Sequence, residues 1–325
     1  MGFGDLPPIE QIDTYLDTAF KKARTNARAY NLKEFEKSQL DREKSLSLLK
    51  INTVSDYLQG KFSALIAAYP NFENLSEFYT QLLRLTLDYR QVKKTLGALH
   101  WAQGQLKTFS RDFARKIKRT AQPATVQNLL RQYYGRVGSV LRQIKKELAY
   151  LRQARLVMRT YPSIKEDLFT VAIAGFPNVG KSTLLSQLTP ARPEIQNYAF
   201  TTKKINQGYR EINARKMQFL DTPGTLNRLE KMNMVEKVAY LAMRYAADEI
   251  VYVFDITEDS YSLHDQQKLL EAIKRYHKPI SCYLAKTDLL TDAQIDGFQT
   301  LFSQKKIPLY TNKEELIAAL EAKVR

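Results

Sequence analysis

The apolar run Val171-Ala172-Ile173-Ala174 enters Gly175-Phe176-Pro177-Asn178-Val179-Gly180-Lys181-Ser182-Thr183 and leaves through Leu184-Leu185. A G-x-x-x-x-G-K-[ST] turn between a strand and a helix directs the chain toward an α/β architecture with that turn at the carboxyl end of a strand. Its glycines let the backbone curl until N–H groups face inward, and the new helix adds unpaired N–H groups and its positive dipole end. That is a cradle for polyphosphate. Lys181 adds a mobile charge for the terminal phosphates, and Ser182 offers a hydroxyl to magnesium. In this reading Gly175, Asn178, Val179, Gly180, Lys181, Ser182 and Thr183 surround the phosphates. The alternative, a glycine-punctuated connection with an incidental Lys-Ser, is disfavoured by the apolar flanks.

Three further elements follow in an informative order. Met217-Gln218-Phe219-Leu220 runs into Asp221-Thr222-Pro223-Gly224, where Asp221 can hold magnesium through water and the Gly224 N–H can meet a γ-phosphate. Between the motifs lies Asn197-Tyr198-Ala199-Phe200-Thr201-Thr202; a threonine there contacts the metal only while the γ-phosphate is present, which makes a switch. Ile280-Ser281-Cys282-Tyr283-Leu284 then leads to Ala285-Lys286-Thr287-Asp288. Guanine presents N–H donors at N1 and N2 that a carboxylate accepts as a pair, and adenine does not. Asp288 therefore favours GTP, with Lys286 over the base. The usual signature is Asn-Lys-x-Asp, and Ala285 replaces its asparagine. One amide contact is lost, so affinity should suffer more than base choice. Taken alone, this last motif also fits a solvated turn after a buried strand.

The 325-residue chain has room for two domains. Its apolar content of 44% suits globular cores, and no apolar run approaches the roughly 18 residues that span a membrane. The start, Met1-Gly2-Phe3-Gly4-Asp5-Leu6-Pro7-Pro8, lacks the basic flank and apolar core of a signal peptide. Cys282 is alone, and His100, His264 and His277 are scattered, which excludes an internal disulfide and a Cys/His metal cluster. The expectation is a soluble cytoplasmic monomer without membrane partners.

Charge is shared unevenly. Residues 1–160 hold 28 Lys and Arg against 14 Asp and Glu, and residues 161–325 hold 22 against 20. Residues 84–159 alone carry 18 basic and 3 acidic side chains. Apolar residues recur at helical spacing through Ile9, Ile12, Leu16 and Phe20, through Val54, Leu58, Phe62 and Leu65, and through Val92 to Ile117 and Val126 to Leu151. Pro70 and Pro123 mark breaks. The pattern predicts four or five long helices in a bundle, with Trp101 and Met158 explained without a cofactor. Arg111, Arg115, Lys116, Lys118, Arg119, Arg131, Arg136, Arg142, Lys145, Lys146, Arg152, Arg155 and Arg159 fall on outward faces. Such an excess repels itself unless an anion neutralises it, and a nucleic-acid backbone is the commonest such partner. A solvated helix surface and an anionic membrane are the competing readings.

Periodicity changes near Tyr161-Pro162-Ser163-Ile164-Lys165-Glu166-Asp167, which predicts domains at 1–166 and 167–325. Strands are predicted at 170–174, 205–212, 216–220, 249–254, 280–284 and 307–310. Helices are predicted at 181–189, 229–246, 263–277, 292–303 and 313–323. The alternation implies a mostly parallel sheet with helices on both faces.

With these residues in view, the chain resembles the nucleolar GTP-binding protein family, in its short archaeal form, within the Obg class of GTPases. The segments that carry the likeness are Gly175 to Thr183, Pro193-Glu194-Ile195 through Thr202, Asp221 to Gly224, Leu96-Gly97-Ala98-Leu99-His100-Trp101-Ala102, and Tyr133-Tyr134-Gly135-Arg136-Val137. The resemblance implies a P-loop GTPase domain with a mostly parallel sheet after an all-α bundle. It also implies GTP, GDP and magnesium as ligands, with assembly of the large ribosomal subunit or its precursor as the role and ribosomal RNA as the helical domain's contact. By that likeness Lys181 and Ser182 hold phosphate and metal, Thr202 (or Thr201, with the register shifted by one) is the switch threonine that reaches the metal, and Asp221 is the acid that holds the metal through water. Asn178 resembles a potassium ligand of some relatives, with a simple turn former as the alternative. Thr225 stands where many small GTPases have a water-orienting glutamine, so intrinsic turnover should be slow. A nucleotide-gated RNA-binding scaffold without turnover is the rival reading. The last guanine-contacting loop falls near Thr311-Asn312.

Overall fold

In the computed structural model the described residues are 3–31, 38–190, 194–196, 205–212, 215–222 and 234–324. The chain divides into two compact units, one of residues up to 74 with 83–159, the other of residues 75–82 with those from 160 onward.

Before residue 160 the described chain forms six helices: α1 (Ile12–Asn31), α2 (Gln39–Ala68), α3 (Glu77–Thr86), α4 (Tyr89–Arg119), α5 (Pro123–Gln143) and α6 (Lys145–Met158). Ser38 caps α2 and Asp88 caps α4 by accepting backbone N–H groups, and Pro123 opens α5 with no helical hydrogen bond to lose. The α4 stripe buries Val92, Leu99, Leu106, Phe113 and Ile117. On α5, fully buried Tyr133 meets Phe113 edge-on and donates its hydroxyl to the Ile51 carbonyl at 3.2 Å. Each such large side chain contributes roughly 1.5–3 kcal/mol by leaving water. Trp101 stays 42% exposed, and Met158 is buried.

The count exceeds the expected four or five for two reasons. The stripe from Val126 to Leu151 is interrupted at Ile144, a turn with neither Pro nor Gly to announce it. The ten-residue α3 is too short for periodicity to single out. Ile9 precedes α1 rather than joining its stripe.

The outward reading of the basic residues needs one correction. Arg152, Arg155 and Arg159, one helical face of α6, donate from Nε to the carbonyls of Ile9, Leu6 and Gly4 at 2.9, 2.8 and 3.0 Å. Gly4 lies in a 3-10 turn (Phe3–Asp5), and the chain from Leu6 to Gln11, which contains Pro7-Pro8, is neither helix nor strand, so these guanidiniums serve carbonyls that no ladder pairs. Arg152 and Arg155 are half-buried in this way, whereas Arg159 stays exposed, as do Arg111, Arg115, Lys116, Lys118, Arg119, Arg131, Arg136, Arg142, Lys145 and Lys146.

The second unit is a seven-stranded sheet with order β2-β3-β4-β1-β5-β6-β7. Its strands are β1 (Phe169–Ala174), β2 (Glu194–Gln196), β3 (Ile205–Ile212), β4 (Arg215–Asp221), β5 (Glu249–Phe254), β6 (Ile280–Leu284) and β7 (Leu309–Tyr310). From β4 through β7 neighbours run parallel, whereas β2 and β3 are antiparallel additions. The three-residue β2 escaped the sequence reading. The helices are α7 (Lys181–Leu188), α8 (Met234–Leu241), α9 (Leu263–Lys274), α10 (Asp292–Ser303) and α11 (Lys313–Glu321). A π turn at Ala242–Ala246 continues α8; residues 229–233 of the expected helix lie outside the described residues. Separate apolar cores cover the two faces of the sheet. Cys282 is buried in one, and burial pushes its thiol up to about 12. Among the described residues no helix is long and apolar enough to cross a membrane.

Tyr79 fastens residues 75–82 to the chain entering the sheet. Its hydroxyl donates to the Pro162 carbonyl at 2.7 Å and accepts the Ile164 N–H at 2.9 Å, and burial pushes its pKa up to about 12. Tyr79→Phe should leave both partners without a bond and destabilise the second unit by about 1–3 kcal/mol, read by urea unfolding. An unchanged midpoint would count against this anchor.

Candidate functional site

The site is built where β1 gives way to α7. Gly175 leaves the strand with φ +148°, and a Cβ there would lie 2.7 Å from the Val253 carbonyl oxygen and 3.2 Å from Val179. No other residue fits against β5 so closely. Asn178 takes φ +63°, which its short polar side chain tolerates, and Gly180 opens α7 at φ +97°. Between them Val179 plugs the core and fixes the loop from beneath. Phe176 is buried with its ring centroid 4.4 Å from that of Tyr261.

Lys181 is only 7% exposed, and its Nζ donates to the Phe176 carbonyl at 2.6 Å, so the ammonium lies across the loop it follows. Ser182 and Thr183 are exposed at the first turn of α7. The Ser182 hydroxyl donates to Asp221 Oδ2. Asp221 arrives from the neighbouring strand in parallel register with Ile173, and Thr222 secures it by donating its N–H and its hydroxyl to the Ile173 carbonyl at 3.1 and 2.7 Å.

Asn206, which the motif reading missed, donates to Asp221 Oδ2 at 3.1 Å. It stands directly opposite Asp221 in the antiparallel β3–β4 register, a neighbour no local pattern announces. Burial pushes the Asp221 carboxyl above its ordinary value, against the opposing pull of Ser182, Lys181 and Asn206. A hydroxyl and an undercompensated carboxylate side by side form a hard oxygen pair suited to magnesium.

The β6 end supplies the other motif. Ala285 is buried, its N–H bonded to the Phe254 carbonyl at 2.9 Å, and its Cβ would lie 3.3 Å from a Cβ built on Gly180. Its side chain therefore faces the phosphate loop. Lys286 has φ +55° and reaches Asp255 Oδ2 at 2.6 Å. Asp288 is exposed in the Thr287–Leu289 turn. Asp255 was also missed, although an acid directly after the apolar strand β5 was a signal that could have found it. Asn312 caps α11 by accepting the Glu314 N–H at 2.8 Å. Thr201, Thr202, Gly224 and Thr225 lie outside the described residues.

Residues 3–165 match the family described as NOG1 N-terminal helical domain, and residues 170–286 the family described as 50S ribosome-binding GTPase. The sequence is 34% identical over 296 residues to an uncharacterized protein of Methanocaldococcus jannaschii, covering 90% of this chain and 83% of that one. Nucleolar GTP-binding protein 1 of Drosophila melanogaster is 30% identical over 78% of this chain and 39% of its own length. Its namesake in Saccharomyces cerevisiae is 26% identical over 95% of this chain and 48% of its own length. The chain thus spans less than half the length of these two relatives. Among solved structures, the G domain of the T. maritima FeoB iron transporter is 24% identical over 48% of this chain and 98% of its own, with a TM-score of 0.40.

The raised carboxyl of Asp221 has a consequence for stability. Between its ordinary and its raised value the folded chain holds more protons than the unfolded one, so stability falls as pH rises through that window. Asp221→Asn should therefore melt higher than the native chain at pH 7 without ligand, with the gap narrowing toward pH 4. A variant that melts lower at pH 7 would contradict this account.

Proposed function

Because the chain belongs to the nucleolar GTP-binding protein family, in which a NOG1-type helical domain precedes a GTPase domain, we propose that it converts GTP to GDP and phosphate at the ends of β1, β4 and β6 while its basic helices lie on ribosomal RNA of the large subunit or its precursor. The observation that carries the first half is the curled loop from Gly175 to Gly180 with Ser182 in contact with Asp221. Backbone N–H groups there meet polyphosphate, and Lys181 exchanges the Phe176 carbonyl for phosphate oxygen. Magnesium would be held by Ser182, by Asp221 through water and, with a γ-phosphate present, by Thr202; it would neutralise charge on the β- and γ-phosphates. The Gly224 N–H would meet the γ-phosphate. Asp288 would take the guanine N–H pair, and Lys286 would lie over the ring. Asn178 would serve the turn and, in the presence of potassium, a monovalent ion beside the phosphates. Residues 1–166 and 167–325 would be the two working domains.

Thr225 offers no amide to orient water, so unaided turnover should be roughly 10⁻⁴–10⁻² s⁻¹. A multiple-turnover assay with and without large-subunit particles and potassium separates a stimulated GTPase from a scaffold that never turns over. GDP should bind more tightly than ADP, and Asp288→Asn should move the preference toward xanthine nucleotides. Equal binding of ADP and GDP by the native chain would overturn the guanine reading.

The second half rests on charge. Residues 84–159 carry 18 basic and 3 acidic side chains, and the basic residues of α4 from Lys107 to Arg119 are exposed. Affinity for structured RNA should fall steeply with salt, with a log–log slope of order minus one per phosphate contact. Changing Arg115, Lys116, Lys118 and Arg119 together to glutamate should lower both affinity and slope and leave GDP binding unchanged. RNA association indifferent to that reversal would return these residues to the role of a solvated surface.

A further inference from the structure

Asp255 belongs to none of the motifs read from the sequence, yet it is 1% exposed and every part of it is engaged. Oδ2 receives Lys286 Nζ at 2.6 Å. Oδ1 receives the Thr257 N–H at 3.0 Å and the Thr257 hydroxyl at 2.8 Å. Its main chain is gripped by the buried amide of Gln266, which accepts the Asp255 N–H at 3.1 Å and donates to the Asp255 carbonyl at 2.6 Å. Gln266 also donates to the Tyr261 carbonyl at 2.8 Å, so one side chain sets both ends of the loop that follows β5. Burial alone would push the Asp255 carboxyl up; the bonds from Lys286 and Thr257 bring it below its ordinary value, and it is an anion at neutral pH.

Lys286 is the free end of this chain of contacts. Its side chain is 34% exposed, and its backbone sits in the left-handed region that a lysine seldom adopts. With Pro177, Asn178 and Tyr261 it borders a cavity of about 270 Å³ beside the phosphate loop. An unanchored lysine samples many rotamers and must be ordered when a ligand arrives, which weakens binding. Here the ordering is done beforehand, from Gln266 to Asp255 to Lys286.

We propose that Asp255 is a positioning residue that pins the Lys286 ammonium, so that the lysine stem forms a preordered wall for the base of the bound nucleotide. The inference rests on the guanine-nucleotide reading above and adds to it a residue outside its motifs. Asp255 borders the same cavity but is 1% exposed and spends its carboxylate on Lys286 and Thr257, so removing that carboxylate should be felt by the base and not by the phosphates.

The test compares GDP with inorganic tripolyphosphate, which has neither base nor ribose, by calorimetry on the full chain. Asp255→Asn, which keeps an acceptor for Thr257, should weaken GDP about tenfold and leave tripolyphosphate within twofold of native. Lys286→Met should do the same from the other side of the pair. The double variant should be no weaker than either single one, because both remove one interaction. Equal losses for GDP and tripolyphosphate, additive losses in the double variant, or unchanged GDP binding in both single variants would each overturn the proposal. Should Asp255→Asn fail to fold, Asp255→Glu, which keeps the charge but displaces it by one methylene, decides by the same GDP-to-tripolyphosphate split. Failure of the guanine reading itself shows differently: the native chain would bind ADP as well as GDP, and the coupling of Asp255 to Lys286 would still be measured with either nucleotide.

Discussion

The approach of Gly175 to the Val253 carbonyl sets the geometry on which the second unit's site depends. A side chain at that point would stand 2.7 Å from the carbonyl oxygen of a central strand, and strand pairing leaves β5 no freedom to withdraw. With hydrogen alone at the position, the loop presses against the sheet and Val179 enters the core. Gly180 then starts α7 at a point where Ser182 meets Asp221. A loop displaced outward by even one methyl group would carry Lys181 and Ser182 away from Asp221, which is held on the sheet by Thr222.

The same sheet sets the surroundings of Ala285, which stands in place of the usual asparagine. Residue 285 faces Gly180, so its side chain is part of the packing under the phosphate loop, and a methyl group fills that space. Beside it, Asp255 is held by Lys286 and Gln266. Charge buried in this way is tolerated because each carboxylate oxygen of Asp255 has a donor.

In the helical unit, positive charge has two uses. Along α6, guanidiniums serve carbonyls of the chain ahead of α1 that no ladder pairs, a structural use that needs no partner outside the chain. Along α4 and α5 the cations face solvent and few acids stand near them, which leaves their field directed outward. Composition counted both groups as one, and the structure separates them.

What the sequence determined by itself was whatever local backbone chemistry demands. A loop that curls between a strand and a helix requires glycine where φ is positive and space is closed, so the turns at Gly175 and Gly180 were legible, as were the parallel strands that alternate with helices. The buried stripe of α4 was legible because helical geometry repeats every 3.6 residues. Tertiary structure alone decided the rest. Asn206 reaches Asp221 through antiparallel register, Asp255 reaches Lys286 because β5 and β6 are neighbours, and Tyr79 meets Pro162 across 83 positions of chain. Such pairs leave no periodic trace, since their meeting depends on strand order and register, which are settled only when the two faces of the sheet are buried together.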